Sequence, residues 1–197
     1  MELLDIVDEN GIPTGETVER ETAHRSGIRH RTSHVWILRK RDGKVQVLLQ
    51  KRSLNKDSHP GCYDISSAGH IPYGEDFSES ALRELKEELG VTAAAEELVF
   101  CGCCRSEYHG VFHGQKFWDH QVSNVYILWR DMEEAEFTLQ ESEVDSVLWM
   151  DWDKCLTMVR QQQAPNCIRT HELEMVFSAV QLLNEGSLPP VSPIQEH

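Results

Sequence analysis

The sequence predicts a mixed α+β fold, and three observations carry that prediction. The turn dipeptides Asn10-Gly11 and Asp42-Gly43 each sit between short β-rich runs, the pattern of antiparallel hairpins. One amphipathic helix, closed by Gly90, interrupts the strands near the middle of the chain, and two further helical patterns end it. Strands and helices therefore do not alternate one for one, as a parallel β-α-β fold would require.

Taken in order, Leu3 to Asp8 is a short apolar run, and Ile12 to Val18 returns as its hairpin partner. Glu19 to Gly27 is charged and reads as a short helical turn stopped by Gly27. His30 to Arg39 and Lys44 to Lys51 are the strands flanking Asp42-Gly43. Ser53 to Tyr63 is a loop carrying Pro60-Gly61, and Asp64 to Ala68 is a short strand delivering the chain to Gly69. The central helix starts near Asp76 or Ser78, because Asp76-Phe-Ser-Glu79 has the form of a capping box. Glu97 to Tyr108 and Phe117 to Arg130 read as strands joined by a loop containing His and Gly. Val144 to Met150 is a late strand. Lys154 to Arg160 and His171 to Leu183 have helical spacing, with Leu173, Val176, Phe177, Val180 and Leu183 along one side of the second. Residues 1–186 form one domain in this reading, and 187–197 a Pro-rich flexible tail.

At 197 residues with 40% apolar content, the chain can build one packed core. Its net charge of -14 argues against non-specific binding to nucleic acid or to an anionic membrane, so an anionic ligand would need local cations. No apolar run reaches the ~18 residues that a membrane span needs. The acidic start Met-Glu-Leu-Leu-Asp lacks a signal region, and a cytoplasmic location is expected. The six cysteines are then reduced thiols.

The central helix carries the chemistry. Glu84, Glu87 and Glu88 stand at i, i+3 and i+4 and share one face, while Leu82, Leu85 and Leu89 fall on the opposite one. Three adjacent like charges repel, and a bound divalent cation removes that penalty. Most Glu-rich helix faces are only solvated surface. Here, however, the stretch Gly69 to Val91 fills every specified position of G-x5-E-x7-R-E-U-x-E-E-x-G-U, where U is a bulky aliphatic residue. Gly69, Glu75, Arg83, Glu84, Leu85, Glu87, Glu88, Gly90 and Val91 occupy them. This stretch resembles the Nudix box of the Nudix hydrolase superfamily.

The resemblance implies an α/β/α sandwich around a mixed β-sheet, with the box helix on one face. It implies Mg²⁺ or Mn²⁺, hard cations that take oxygen ligands, held by Glu84 and Glu88 with Glu87 contributing. The activity implied is attack of activated water on a diphosphate linked to another moiety, a small-molecule substrate. Arg83 and Glu75 would pair with each other or with the box glutamates, and the carbonyl of Ala68 could also reach a metal. One of the box glutamates or a later one would take the water's proton. Glu143 is the leading candidate outside the box and Glu141 the next, with solvated loop acids as the competing reading.

Residues before the box narrow the branch. Leu-Leu-Gln-Lys-Arg52-Ser-Leu-Asn-Lys56 through Gly61-Cys-Tyr-Asp64, with Ala23-His-Arg-Ser-Gly27 upstream, resembles proteins related to isopentenyl-diphosphate isomerase. In that branch Arg52 and Lys56 match the cations that hold a diphosphate. Isomerisation needs an acid and a base on opposite sides of the carbon skeleton, and the matching positions here are Ala68 and Gln121. Neither suits proton transfer, so the sequence favours hydrolysis over isomerisation. A non-catalytic sensor of diphosphate ligands is the third reading, and the intact box carboxylates weigh against it. The isomerase also uses histidines as metal ligands; His24 and His70 fall at matching positions, while the next such position holds Arg31, so a histidine metal site is not the favoured reading here. His30 and His34 lie close by.

Cys101 and Cys104 have a C-x-x-C spacing, but in a regular strand they point to opposite faces, and buried strand cysteines are expected rather than zinc ligands. The tryptophans and Tyr126 are expected to lie mostly in the core. Exposed apolar strand content makes a homodimer the expected partner arrangement, if there is one.

Overall fold

The computed structural model describes residues 2–186; the expected tail, 187–197, lies outside the described residues. Strands β1 (Leu3–Val7) and β2 (Pro13–Glu19) form the first hairpin, and α1 (Arg20–Ser26) follows, stopped by Gly27. The main sheet contains β3 (His30–Arg41), β4 (Lys44–Arg52), β5 (Tyr63–Asp64), β6 (Ser67–His70), β7 (Val99–Phe112), β8 (Gln115–Trp129) and β9 (Val144–Asp151). Helix α2 (Phe77–Leu89) is the box helix, and α3 (Trp152–Gln161) and α4 (Thr170–Asn184) close the chain.

The sheet is mixed. Its path runs β5-β4-β3-β8-β7, with β6 on β3 and β9 on β4; β3 and β8 are parallel and the other pairs antiparallel. Strand β3 is buried from His30 to Arg39, as a strand covered on both faces must be. Its alternation sorts the layers. Val35 and Ile37 pack with Phe77, Ala81, Leu85 and Leu89 of α2, whereas Trp36 and Leu38 pack with Trp152, Cys155, Leu173 and Val176 of α3 and α4. This is the α/β/α sandwich, with α2 on one face and α3 and α4 on the other. Leu85 has no solvent exposure at the centre of the α2 layer. Leu85→Ala should cost about 2–5 kcal/mol of stability, read as a lower denaturant midpoint at unchanged slope.

Four local expectations change. The β7 and β8 strands do not stop at Tyr108 and Phe117. They continue to a two-residue turn at His113-Gly114, both at positive φ, so the expected loop is an overhanging hairpin. A bulge between Phe100 and Gly102 inserts one residue, which turns both Cys101 and Cys104 into the α3/α4 core instead of onto opposite faces. On α4, Ala179 is buried while Phe177 is 40% exposed, so Phe177 lies at the edge of the apolar side and stacks on Trp152. Asp76 is the N-cap of α2, but its side chain caps no backbone amide; Ser78 Oγ donates to it instead.

Candidate functional site

A cleft of about 1570 Å³ opens between the box helix, the β4–β5 loop, the overhanging hairpin and the first turn of α4. Gly69 and Gly90 frame the box. A Cβ on Gly69 would lie 2.2 Å from the Glu84 side chain, so β6 can approach α2 this closely only without one. Gly90 ends α2 in the left-handed region at φ 70°, accepting the turn that Val91 needs to enter the core.

The box glutamates share one side of α2 but not one environment. Glu87 is exposed, Glu84 is half-buried, and Glu88 is only 5% exposed, receiving a hydrogen bond from Ser67 Oγ at 2.9 Å. Burial, and then the neighbouring Glu84 charge, push the Glu88 carboxyl up to about 8. Burial likewise raises Glu84, although Arg83 opposes it. Arg83 gathers the loop and helix together: it donates to Glu84 at 2.6 Å, to Glu75 at 3.4 Å, to Glu87 at 3.5 Å and to the His70 carbonyl at 3.3 Å. Glu143 reaches the same cleft from the turn before β9, where its carboxylate pairs with Lys56 and its charge also raises Glu88. Glu141 is exposed and does not line the cleft.

Arg52 lines the cleft but is strongly held. Its guanidinium pairs with Asp64 at 3.0 Å and donates to the Ser58 carbonyl at 3.0 Å and 3.3 Å. Burial disfavours its charge, but Asp64 and the other negative groups around it together raise the Arg52 pKa. Ala68 and Gln121 both face the cleft, and Gln121 Oε1 accepts from Thr32 Oγ1 at 3.5 Å.

A second donor cluster lies beside the box. His24, His30 and His70 bring one ligand atom each within 4.8 Å of one another. Asp119 Oδ1 faces His24 Nε2 at 3.5 Å and His30 Nε2 at 3.6 Å. His30 Nδ1–H donates to the Ile28 carbonyl at 2.9 Å, which places the neutral ring's lone pair on Nε2. His30 Nε2 and Asp119 Oδ1 are both buried without a hydrogen-bond partner. Burial holds His30 at about 4 and His70 well below the usual imidazole range, so both rings are neutral at pH 7, the form that ligates metal. Three imidazoles and a carboxylate suit a transition ion such as Zn²⁺ or Mn²⁺. The third histidine is His30, not position 31. Arg31, next along β3, points the other way and bonds Asp5 at 2.9 Å beside Phe77. His34 lies outside the cluster and joins Glu172 at 3.0 Å.

With this geometry in view, the comparisons with known proteins are direct. A sequence model of the NUDIX domain matches residues 28–170. The chain belongs to the Nudix family. An uncharacterized Nudix hydrolase of Clostridium acetobutylicum is 37% identical over 153 residues, covering 78% of this chain and 71% of that one. Nudix hydrolase 3 of Arabidopsis thaliana is 38% identical over 159 residues, but the match spans only 20% of its length. A crystal structure of a Deinococcus radiodurans protein superposes with a TM-score of 0.65 at 19% identity, covering 88% of this chain and 98% of that one. This Nudix protein is accordingly a hydrolase of pyrophosphate bonds.

Gly69→Ala forces Glu84 aside within the Nudix box. It should lower turnover by about 10²-fold or more while leaving the far-ultraviolet circular dichroism unchanged, because β6 and α2 both survive.

Proposed function

We propose that this protein is a Mg²⁺- or Mn²⁺-dependent hydrolase that cleaves a diphosphate linked to another moiety. The observation that carries this reading is Glu88, a carboxyl buried beside Glu84 and Glu143 with a pKa pushed up to about 8. An arrangement that holds a glutamate so far from its ordinary range is costly unless a cation takes the proton's place. When bound, the cation supplies an ionisable water and offsets charge on the diphosphate.

Glu84 and Glu88, with Glu87 at the rim, hold the cation. Arg83 positions Glu84 against the loop from Gly69 to Glu75. Lys56 and Arg52 hold the diphosphate. Lys56 is paired with Glu143, so turning Lys56 toward a phosphate oxygen releases Glu143 to act as base. Glu143 then takes the proton of the attacking water, whose oxygen bonds to phosphorus as the bridging oxygen leaves with the other phosphoryl group. His24, His30, His70 and Asp119 would hold a separate transition ion next to this site.

The upstream residues resemble the isopentenyl-diphosphate isomerase-like branch, but we propose different chemistry, because Ala68 and Gln121 face the cleft where proton transfer to carbon would need an acid and a base. Phosphate release is screened over nucleoside diphosphate derivatives, dinucleoside polyphosphates and prenyl diphosphates with each ion. Metal-dependent release from at least one class is expected. Isomerisation of isopentenyl diphosphate, or binding without any turnover across the panel, would overturn the reading.

A further inference from the structure

Most cations lining the cleft are already matched by carboxylates. Arg20 pairs with Glu2, Arg25 with Glu21, Arg52 with Asp64, Lys56 with Glu143, and Arg83 with three glutamates. Lys116 is exposed, and water satisfies it. Arg169, at the start of α4, differs from all of these. It is half-buried, it lines the cleft, and among the described residues it makes no ion pair. Its Nη1 is buried without a hydrogen-bond partner.

Two carboxylates, Glu172 and Asp119, lie in its field, but neither forms an ion pair with it among the described residues. Glu172, one turn along α4, accepts from His34 Nδ1 at 3.0 and 3.1 Å and from Trp36 Nε1 at 2.9 Å. Asp119, which also lies in the field of Arg169, faces His24 and His30. His34 itself has its pKa raised: burial opposes the proton, and Glu172 outweighs burial. His59, which lies in the field of Arg169, packs against Tyr108 at 4.8 Å and Phe112 at 5.0 Å, so this part of the cleft wall is aromatic.

A half-buried guanidinium with no close ion pair and an unpartnered Nη1 is costly, and its forked donors fit the oxygens of a phosphate or a carboxylate. The cleft, at about 1570 Å³, is far larger than a diphosphate. We propose that Arg169 anchors an oxyanion, phosphate or carboxylate, carried by the moiety attached to the diphosphate. The substrate class is thereby narrowed to diphosphate compounds bearing a further oxyanion. The assignment of that oxyanion to a substrate rests on the hydrolase reading above; the anion site does not.

The site is tested first without catalysis. Inorganic phosphate and, separately, succinate are titrated calorimetrically into full-length protein held in chelator, so that no metal at the box can bind them. At least one should bind, Arg169→Met should weaken that binding about tenfold or more, and Arg169→Lys and Lys116→Ala should retain most of it. Which probe responds separates phosphate from carboxylate. Should Arg169→Met fail to fold, Arg169→Gln removes the charge with less disturbance. No anion binding by the unaltered protein, or equal binding in the uncharged variant, would overturn the site. Among diphosphates that are hydrolysed, Arg169→Met should raise KM about tenfold or more only for those with the further oxyanion. An equal rise for all would show that Arg169 serves the diphosphate itself and would overturn the substrate class.

Discussion

Glu88→Gln should reduce metal-dependent phosphate release by about 10²- to 10³-fold while the protein remains folded. The amide keeps the volume and can still bond Ser67, which now reaches Glu88 at 2.9 Å. What it removes is the carboxylate that a hard cation would take. Because Glu88 is buried and raised in pKa to about 8, the neutral amide also relieves a desolvation cost. The metal-free variant should therefore unfold at the same or a higher temperature than the metal-free parent. Loss of activity with no loss of stability separates a ligand from a structural residue. Glu84→Gln should also lose activity but gain less stability, since Glu84 is paired with Arg83 at 2.6 Å. Turnover within a few-fold of the parent in both variants would remove the box from the chemistry.

The second large effect concerns the histidine cluster. Purified protein should retain about one equivalent of a transition ion through brief dialysis against a weak chelator, as expected for three imidazoles and one carboxylate. His30→Ala should lose that equivalent, measured by elemental analysis, whereas Glu88→Gln should keep it. The reason is geometric. His30 is fully buried, its Nδ1 is engaged by the Ile28 carbonyl, and its Nε2 points at Asp119 with no other partner. Equal metal content in His30→Ala and the parent would show that the cluster is only a packed group of neutral rings.

The sequence made the box helix and the hairpins legible because their signals are local. Periodicity placed Leu85 and Leu89 inward, Asp42-Gly43 sits at positive φ in its turn, and Gly90 stops α2 in the left-handed region. The features that were not legible depend on register or on distant partners. Cys101 and Cys104 share a core because of a bulge, which no alternation rule reveals. His30 rather than residue 31 faces the cluster because β3 presents alternate sides, and Asp5, far away in sequence, captures Arg31. Asp119 joins those histidines only once β8 pairs in parallel with β3. Glu172 bonds His34 and Trp36 from 138 and 136 residues away, and Arg169 becomes conspicuous only when its Nη1 is seen to be buried without a partner.

The central claim is that these residues direct water onto phosphorus. The most direct measurement is hydrolysis in ¹⁸O-labelled water with Mg²⁺ or Mn²⁺, followed by mass analysis of the products from the diphosphate panel. One ¹⁸O in one of the two phosphoryl products, dependent on the metal and absent in Glu88→Gln, is the predicted result. A product that keeps its diphosphate intact and carries no label on phosphorus would contradict it.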